Sequence, residues 1–305
     1  MLTSPTSMNA PFKTIALIGR FVDPLVADAM LSLAEHASRR GVRVLIDAEC
    51  PVEFRSAVER IHEAELSAGA ELLVSVGGDG TLLHAARLAH GTDVPLLGIN
   101  RGRLGFLADV SAAEMLERFE EVLGGQYSRD VRHVLEARIA GPGAPERHAR
   151  ALNDVVLQKW QTGRMLDFET WIDGRYVNTH GGDGLVVATA TGSTGYAMSC
   201  GGPIVEPNLD ALVLVPICPH TLSDRPIVVN ARSQIEVRVV AQAPVRAQVT
   251  TDGVVLGELQ TESRLLVRRA DSHITLLHPP GYDFYRILRS KLHWGRGARH
   301  GHAEP

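Results

Sequence analysis

The stretch Leu72-Leu-Val-Ser-Val-Gly-Gly-Asp-Gly-Thr81 restricts the fold of this 305-residue chain more than any other segment. A nearly unbroken apolar run ends in a glycine-rich turn and passes directly into helical spacing over Thr81–Ala89. A strand apolar on both faces suits a parallel sheet covered on both sides. Parallel strands need crossover connections, most often helices. The first half of the chain supplies them. Thr14–Ile18 reads as a strand, and Asp23-Pro24 as a helix N-cap followed by proline at the first helical position. Val26, Met30, Leu33 and Ala37 then recur at helical spacing. Val42–Ile46 and Pro95–Ile99 read as strands and Val52–Leu66 as a helix. Ser111-Ala-Ala-Glu114 is a capping-box pattern opening a helix with Met115, Leu116, Phe119, Val122 and Leu123 on one face. This order predicts an α/β fold class, with a doubly wound α/β domain over residues 1–129.

Past Arg129 the texture changes. Val131–Ala140, Asn153–Leu157, Phe168–Ile172, Gly184–Thr189, Ile235–Val240, Arg246–Thr250 and Arg264–Arg268 alternate or are β-branched, and Asp173-Gly174 and Asp252-Gly253 punctuate them as hairpin turns. We read residues 130–277 as a second, β-rich domain resembling a β-sandwich. Tyr282–Leu292 reads as a short helix, so residues 278–305 are expected to pack back on the first domain, with a frayed tail from Trp294. A net charge of −4 and the lack of a basic stripe argue against a nucleic-acid partner. No run approaches the roughly 20 apolar residues of a membrane span, and Met1–Pro11 lacks the pattern of a signal peptide. Cys50, Cys200 and Cys218 are far apart and form no CxxC, which suits a reduced, cytoplasmic setting rather than a disulfide framework or a zinc site. Of the 13 histidines only His300-Gly-His302, in the tail expected to fray, forms HxH, and none forms HExxH, so no protein metal site is expected.

Three segments carry chemistry. In Gly77-Gly-Asp-Gly80 the glycines allow close backbone approach and the following helix points free N–H groups and its dipole at the turn, the logic of a phosphate cradle. No Gly-Lys-Ser/Thr follows, so this is not a Walker A loop. Asp79 would repel a phosphate unless it served the chemistry, either by taking a proton from an attacking hydroxyl or by contacting Mg²⁺ held by the phosphates. The plainer alternative makes Asp79 a helix N-cap. The second segment runs from Asp183 to Pro203 and packs Thr189, Thr191, Ser193, Thr194, Tyr196 and Ser199 among small residues. These hydroxyls and exposed N–H groups could grip ribose, phosphate and base edges, with Tyr196 packed on an adenine ring; alternatively the loop caps a strand. The third is Asn153-Asp154, an amide beside a carboxylate, able to read an adenine edge and a ribose hydroxyl together, or simply to turn the chain.

With these segments in hand the chain closely resembles the bacterial NAD kinases. The resemblance rests on GGDGTLLHAAR (77–87), GINRGRLGFL (98–107), LNDVVL (152–157), residues 183–202, LVPICPHTLSDRPIVV (214–229) and residues 278–294, in family order over nearly the whole chain. GGDG alone is shared with diacylglycerol, sphingosine and phosphofructo-kinases; the TGST loop and the His-Thr-Leu-Ser…Arg-Pro stretch narrow it. The resemblance implies transfer of the ATP γ-phosphoryl to the 2′-hydroxyl of the adenosine ribose of NAD, with Mg²⁺ or another divalent cation. It implies NAD held between an α/β and a β-rich domain, and homodimers or homotetramers. It assigns catalysis to Asp79 and dinucleotide contacts to Gly80, Asn153, Asp154, Arg164, Gly181, Asp183, Thr191 and the run Thr194, Gly195, Tyr196, Ala197, Met198 and Ser199.

Four positions depart from the family pattern. Ala190 replaces a proline and Gly195 an alanine, which should loosen the loop. Gly181 stands where many relatives carry arginine, a position associated with choosing between NAD and NADH, so the resemblance admits NADH as a second acceptor. Thr81 follows GGDG where some relatives have asparagine, as in members that use inorganic polyphosphate. A basic residue near the phosphates is also needed; Arg101 and Arg103 are candidates, although a solvated loop explains both. The competing readings are a superfamily kinase for lipid or sphingoid alcohols, which needs an apolar acceptor surface that the sequence does not display, and a non-catalytic dinucleotide sensor.

Overall fold

The computed structural model describes residues 12–21, 23–102, 105–142, 146–160, 165–240 and 247–294. Two compact units emerge, one made of residues 1–130 and 275–305, the other of residues 131–274.

The first unit is built on a parallel sheet. Its strands lie in the order Glu59–Ile61, Arg43–Asp47, Thr14–Gly19, Leu72–Gly77, Leu96–Asn100. The last of these also pairs in parallel with Val110–Ser111 and, at Leu96, with Leu276. Thr14–Gly19 and Leu72–Gly77 are neighbours although far apart in sequence, so the winding direction reverses between them. Such a switch point, at the C-terminal ends of the strands, is where open α/β sheets form their ligand crevice, and the Gly77–Gly80 turn begins there. Helix Pro24–Arg39 starts as its sequence dictates: the Asp23 carboxylate accepts from Leu25 N at 2.9 Å, and Pro24 occupies the first helical turn. Its Val26, Met30, Leu33 and Ala37 enter one core with Leu17, Val74, Val76, Ile99, Phe119 and Val122.

Two expectations need correction here. Residues 52–66 are not one helix; they hold the short strand Glu59–Ile61 and the single 3₁₀ turn Glu63–Glu65 before helix Leu66–Gly69. The run has apolar residues, but Glu59–Ile61 finds an open edge at Arg43–Asp47, and sheet pairing overrides a weak helical period. The capping box also closes differently. Ser111 Oγ donates to the Glu114 carboxylate at 2.8 Å, and the helix begins at Met115 with Glu114 in the cap position.

The second unit is antiparallel. One sheet orders Ile227–Asn230, Ala211–Ile217, Gly184–Thr189, Asp154–Lys159, Ala247–Thr251 and Val254–Leu259. A second set joins Arg175–Gly182, Leu166–Ile172, Ile235–Val239 and the start of Arg264–His278. Residues of both interdigitate in one core, including Leu157, Leu185, Val187, Leu214, Val249, Phe168, Val237 and Val267. The hairpin turns form as read, with positive φ at Asp173 and Gly174 and at Asp252 and Gly253.

Strand Gly184–Thr189 is buried along its whole length. Leu185 and Val187 face the sandwich core, while Val186 and Ala188 face a second cluster with Ala190, Ala197, Val205, Val213 and Val215. The loop after this strand is thereby folded down onto the sheet. At the strand's start Gly184 has φ 155°, and a β-carbon there would collide with the Leu157 carbonyl of the neighbouring strand. Gly184→Ala is expected to cost about 1–3 kcal/mol through overpacking, read as a fall in Tm of several degrees by calorimetry; an unchanged Tm would refute the requirement.

Candidate active site

In the first unit, helix Asp79–Ala89 starts directly from the glycine turn, with Gly78 in the cap position. Asp79 is therefore not the N-cap. Its carboxylate reaches sideways: Oδ2 accepts from Phe106 N at 2.9 Å, and Oδ1 from Leu107 N at 3.1 Å and Ala108 N at 3.0 Å. Gly105 admits this approach, because a β-carbon there would occupy the position of the Asp79 carboxylate. Charge-assisted bonds of this kind are among the stronger ones in proteins. A carboxylate offers about four acceptor positions, so one on Oδ2 is left. Space is open around Gly78 and Gly80: no heavy atom lies within 4 Å of where either β-carbon would be. Arg101 N donates to Gly77 O at 2.8 Å, and Arg101 Nε is buried without a hydrogen-bond partner. The Arg101 backbone is thus tied to the turn, and the residue as a whole is half-buried. Arg103 lies outside the described residues, as does Arg164.

In the second unit, Asn153 and Asp154 lead into strand Asp154–Lys159. They are held by Asp252, which in the sequence reads only as a turn former. The Asp252 carboxylate accepts from Leu152 N at 2.7 Å, Asn153 N at 2.8 Å and Asp154 N at 3.1 Å. Asn153 Oδ1 is buried with no partner. Asp154 is 6% exposed. Burial first, and then the negative charge of Asp252, push its carboxyl up from 3.8 to about 7. The glycine and hydroxyl loop comes down on this pair: a β-carbon on Gly195 would lie 3.4 Å from Asn153 Nδ2 and 3.8 Å from Asp154 Oδ2.

Several of the loop's hydroxyls are spent internally. Thr189 Oγ1 donates to Leu152 O at 2.7 Å and accepts from Gly192 N at 3.0 Å; Ser193 Oγ donates to Ala190 O at 2.6 Å and accepts from Val205 N at 2.9 Å. Thr194 Oγ1 donates to Thr191 O at 3.2 Å, and Thr191 Oγ1 accepts from the buried Arg132 guanidinium at 3.1 Å. These bonds tie the loop despite Ala190 and Gly195. Ala197 is core; Met198 is half-buried, and Tyr196 and Ser199 are exposed. Burial raises the pKa of both the Tyr196 hydroxyl and the Cys200 thiol, which hydrogen-bond to each other. Asp183 pairs with Lys159 Nζ at 2.5 Å. Gly181 lies across from Asp167, whose Oδ1 would be 3.1 Å from a β-carbon at that position.

Sequence reasoning missed Asp252, Lys159 and Arg132. The strand pairing Gly184↔Gln158 places Lys159 beside Asp183, but nothing local announces that register. Arg132 sits within an alternating strand and gives no local sign of being buried. Two histidines within the quoted motifs have ordinary surroundings: His84 pairs with Glu63 at 2.7 Å, and His220 N donates to Gly181 O at 2.9 Å. Among the described residues no group of three or more His, Cys, Asp or Glu is arranged to hold a metal ion. No helix among them is long and apolar enough to cross a membrane.

Comparison with known proteins agrees with this layout. Residues 16–127 match the ATP-NAD kinase N-terminal domain and residues 152–278 the ATP-NAD kinase C-terminal domain. The chain belongs to the ATP-NAD kinase family. It is 44% identical over 290 residues to the NAD kinase of Halorhodospira halophila, covering 93% of this chain and 94% of the relative. Against the NAD kinase of Nitrosococcus oceani it is 41% identical, covering 95% and 99%. Among solved structures, an Archaeoglobus fulgidus NAD kinase in complex with ATP matches with TM-score 0.71 at 27% identity, covering 92% of this chain and 98% of that one. Yeast NADH kinase complexed with NADH shares the fold, with TM-score 0.86 at 24% identity, covering 99% and 94%.

The buried carboxyl of Asp154 makes a testable demand on stability. Its pKa is raised in the folded protein, so the folded state holds this proton more tightly than the unfolded one. The destabilisation is absent below the unfolded value, grows from about pH 4 to 7, and above about pH 7 amounts to about 4 kcal/mol. Asp154→Asn is therefore expected to raise Tm at about pH 8 and to flatten the fall in Tm between about pH 5 and 8, measured by scanning calorimetry. An unaltered pH profile would contradict the assignment.

Proposed function

We propose that this chain transfers the γ-phosphoryl of ATP to the 2′-hydroxyl of the adenosine ribose of NAD, giving NADP. The observation that carries the acceptor side is the Asn153–Asp154 pair under the Gly195 loop. Asn153 Oδ1 is buried with no partner and Asp154 is held ready to gain or lose a proton near neutrality. Buried polar groups without partners are costly, and an adenosine moiety supplies both donors and acceptors. Asp183, Thr191, Thr194 and residues 195–199 complete the dinucleotide side through backbone groups, the Tyr196 ring and the exposed Ser199.

The donor side is the glycine turn. The N–H groups and dipole of helix Asp79–Ala89 favour anionic phosphate oxygens beside Gly78 and Gly80. Arg101, whose Nε is buried without a partner, would neutralise them. Phosphoryl transfer is mostly positioning and charge stabilisation. The divalent cation would travel with the ATP phosphates. Asp79 has two jobs in this reading. Three of its acceptor positions anchor residues 106–108, and the fourth, on Oδ2, receives the proton of the ribose hydroxyl. A cytoplasmic homo-oligomer and a polyphosphate donor follow from the same family reading, the latter through Thr81.

Incubation with Mg-ATP and NAD should yield NADP, and failure to form it would defeat the proposal. Asp79→Asn is expected to lower kcat by at least about 10²-fold, the low end of general-base effects, with NAD binding retained by calorimetry. A near-normal kcat removes Asp79 as the base.

The acceptor range turns on Gly181. With no side chain at that position, the strand beside Asp167 carries no extra cation. NADH is expected to be phosphorylated as well as NAD, and Gly181→Arg to lower the NADH rate relative to NAD. Inertness of the unmodified protein towards NADH under conditions where NAD turns over would refute this.

A further inference from the structure

We infer that Asp252 is a positioning residue for the reaction, holding the acceptor-reading pair Asn153–Asp154 in place. This rests on the reading of that pair as the dinucleotide contact.

The geometry is specific. Asp252 is the first of the two central residues in the hairpin that joins Ala247–Thr251 to Val254–Leu259, with φ 46°. The hairpin carries its carboxylate across the end of the adjacent strand Asp154–Lys159. There it accepts three consecutive backbone N–H groups, at 2.7, 2.8 and 3.1 Å, from Leu152, Asn153 and Asp154. The reciprocal bond, Asp252 N to Asp154 O at 3.0 Å, locks the same residues from the other side. Leu152 O and Asn153 O are in turn held by Thr189 Oγ1 at 2.7 and 3.3 Å. The backbone of residues 152–154 is therefore fixed on both edges, and only the Asn153 and Asp154 side chains are left to face a ligand.

The same carboxylate acts at a distance on Asp154. The titratable groups that bear on this site are Asp252 from the hairpin and Cys200 from the end of helix Tyr196–Ser199; Asn153 and Gly195 are neutral. A fixed negative charge beside a buried carboxyl favours its protonated form. With Asp252 present, Asp154 changes charge near neutral pH, so it can donate to a ring nitrogen or accept from a hydroxyl. Without Asp252 burial would still hold the Asp154 carboxyl up, but it would be ionised over more of that range, the form that can only accept.

The test uses Asp252→Asn and Asp252→Gly in the full chain. Asparagine and glycine both tolerate positive φ, so the hairpin survives. Asparagine keeps one acceptor oxygen but loses the charge, and glycine removes the group. The readouts are KM for NAD, KM for ATP, kcat, and the titration midpoint of the Asp154 carboxyl carbon by NMR. We expect KM for NAD to rise about tenfold or more in Asp252→Asn and further in Asp252→Gly, the scale for losing hydrogen bonds to a charged group. KM for ATP should stay within about twofold, and the Asp154 midpoint should fall. A purely structural role would lower Tm and move all the kinetic constants together, and that result overturns the inference. An unchanged KM for NAD with an unchanged midpoint overturns it as well. Asn153→Ala separates the two layers. If it too leaves KM for NAD unchanged, the reading of the pair fails and the inference with it. If it raises KM while the Asp252 variants do not, the inference alone fails.

Discussion

A carboxylate accepting three consecutive backbone N–H groups occurs twice among the described residues, and the site in each unit is anchored by it. Asp79 gathers the amides of residues 106–108, and Asp252 those of residues 152–154. Backbone N–H groups at the ends of strands and in tight turns must be satisfied somewhere. A carboxylate does so with charge-assisted bonds that also fix the direction of the chain. Each aspartate lies at a bend, one at the entry to a helix and the other in a hairpin. Each reaches a segment far away in sequence, and each bond set joins an element with chemistry to an element that would otherwise be a free loop.

The two units position their parts by different means. In the first, the reversal of winding between Thr14–Gly19 and Leu72–Gly77 places the glycine turn, because parallel strands joined by crossovers leave an open crevice there. In the second, the sheet is buried on both faces at Gly184–Thr189, so the loop that follows must lie flat on Val186 and Ala188. Hydroxyls with the look of ligand contacts hold that loop together instead. Thr189 and Ser193 satisfy buried carbonyls and amides, leaving Tyr196 and Ser199 exposed. A loop formed from small residues needs such bonds, since it has few apolar contacts with which to offset its loss of chain entropy.

Much of the fold was legible in the sequence. Long apolar runs, the Asp23-Pro24 helix start and the Asp-Gly hairpin turns are local signals, and the structure follows them. The errors fall where local signals are weak. Residues 52–66 have a partial helical period but pair at the sheet edge, and Ser111 and Glu114 bond to each other rather than to the helix backbone. For the site, Gly77–Gly80, Asn153-Asp154 and residues 183–199 stand out by composition alone. Asp252, Lys159, Arg132 and the buried setting of Arg101 Nε do not, because a lone charged residue in a turn or strand is ordinary until its partner is known.

By itself the sequence determined many of the strands, which turns need glycine, and where a carboxylate stands among residues able to cradle phosphate. These depend on side-chain period, on the absence of a Cβ, and on residue chemistry, all of them properties of neighbours along the chain. Only the tertiary structure decided what each carboxylate does. Asp79 is a loop anchor with one acceptor position to spare, Asp154 is a buried acid drawn towards neutrality, and Asp252 is a charge that helps draw it there. Hydrogen bonding and burial depend on residues some 27 to 100 positions away. The roles of these three identical side chains become distinct only when folding brings those distant groups together.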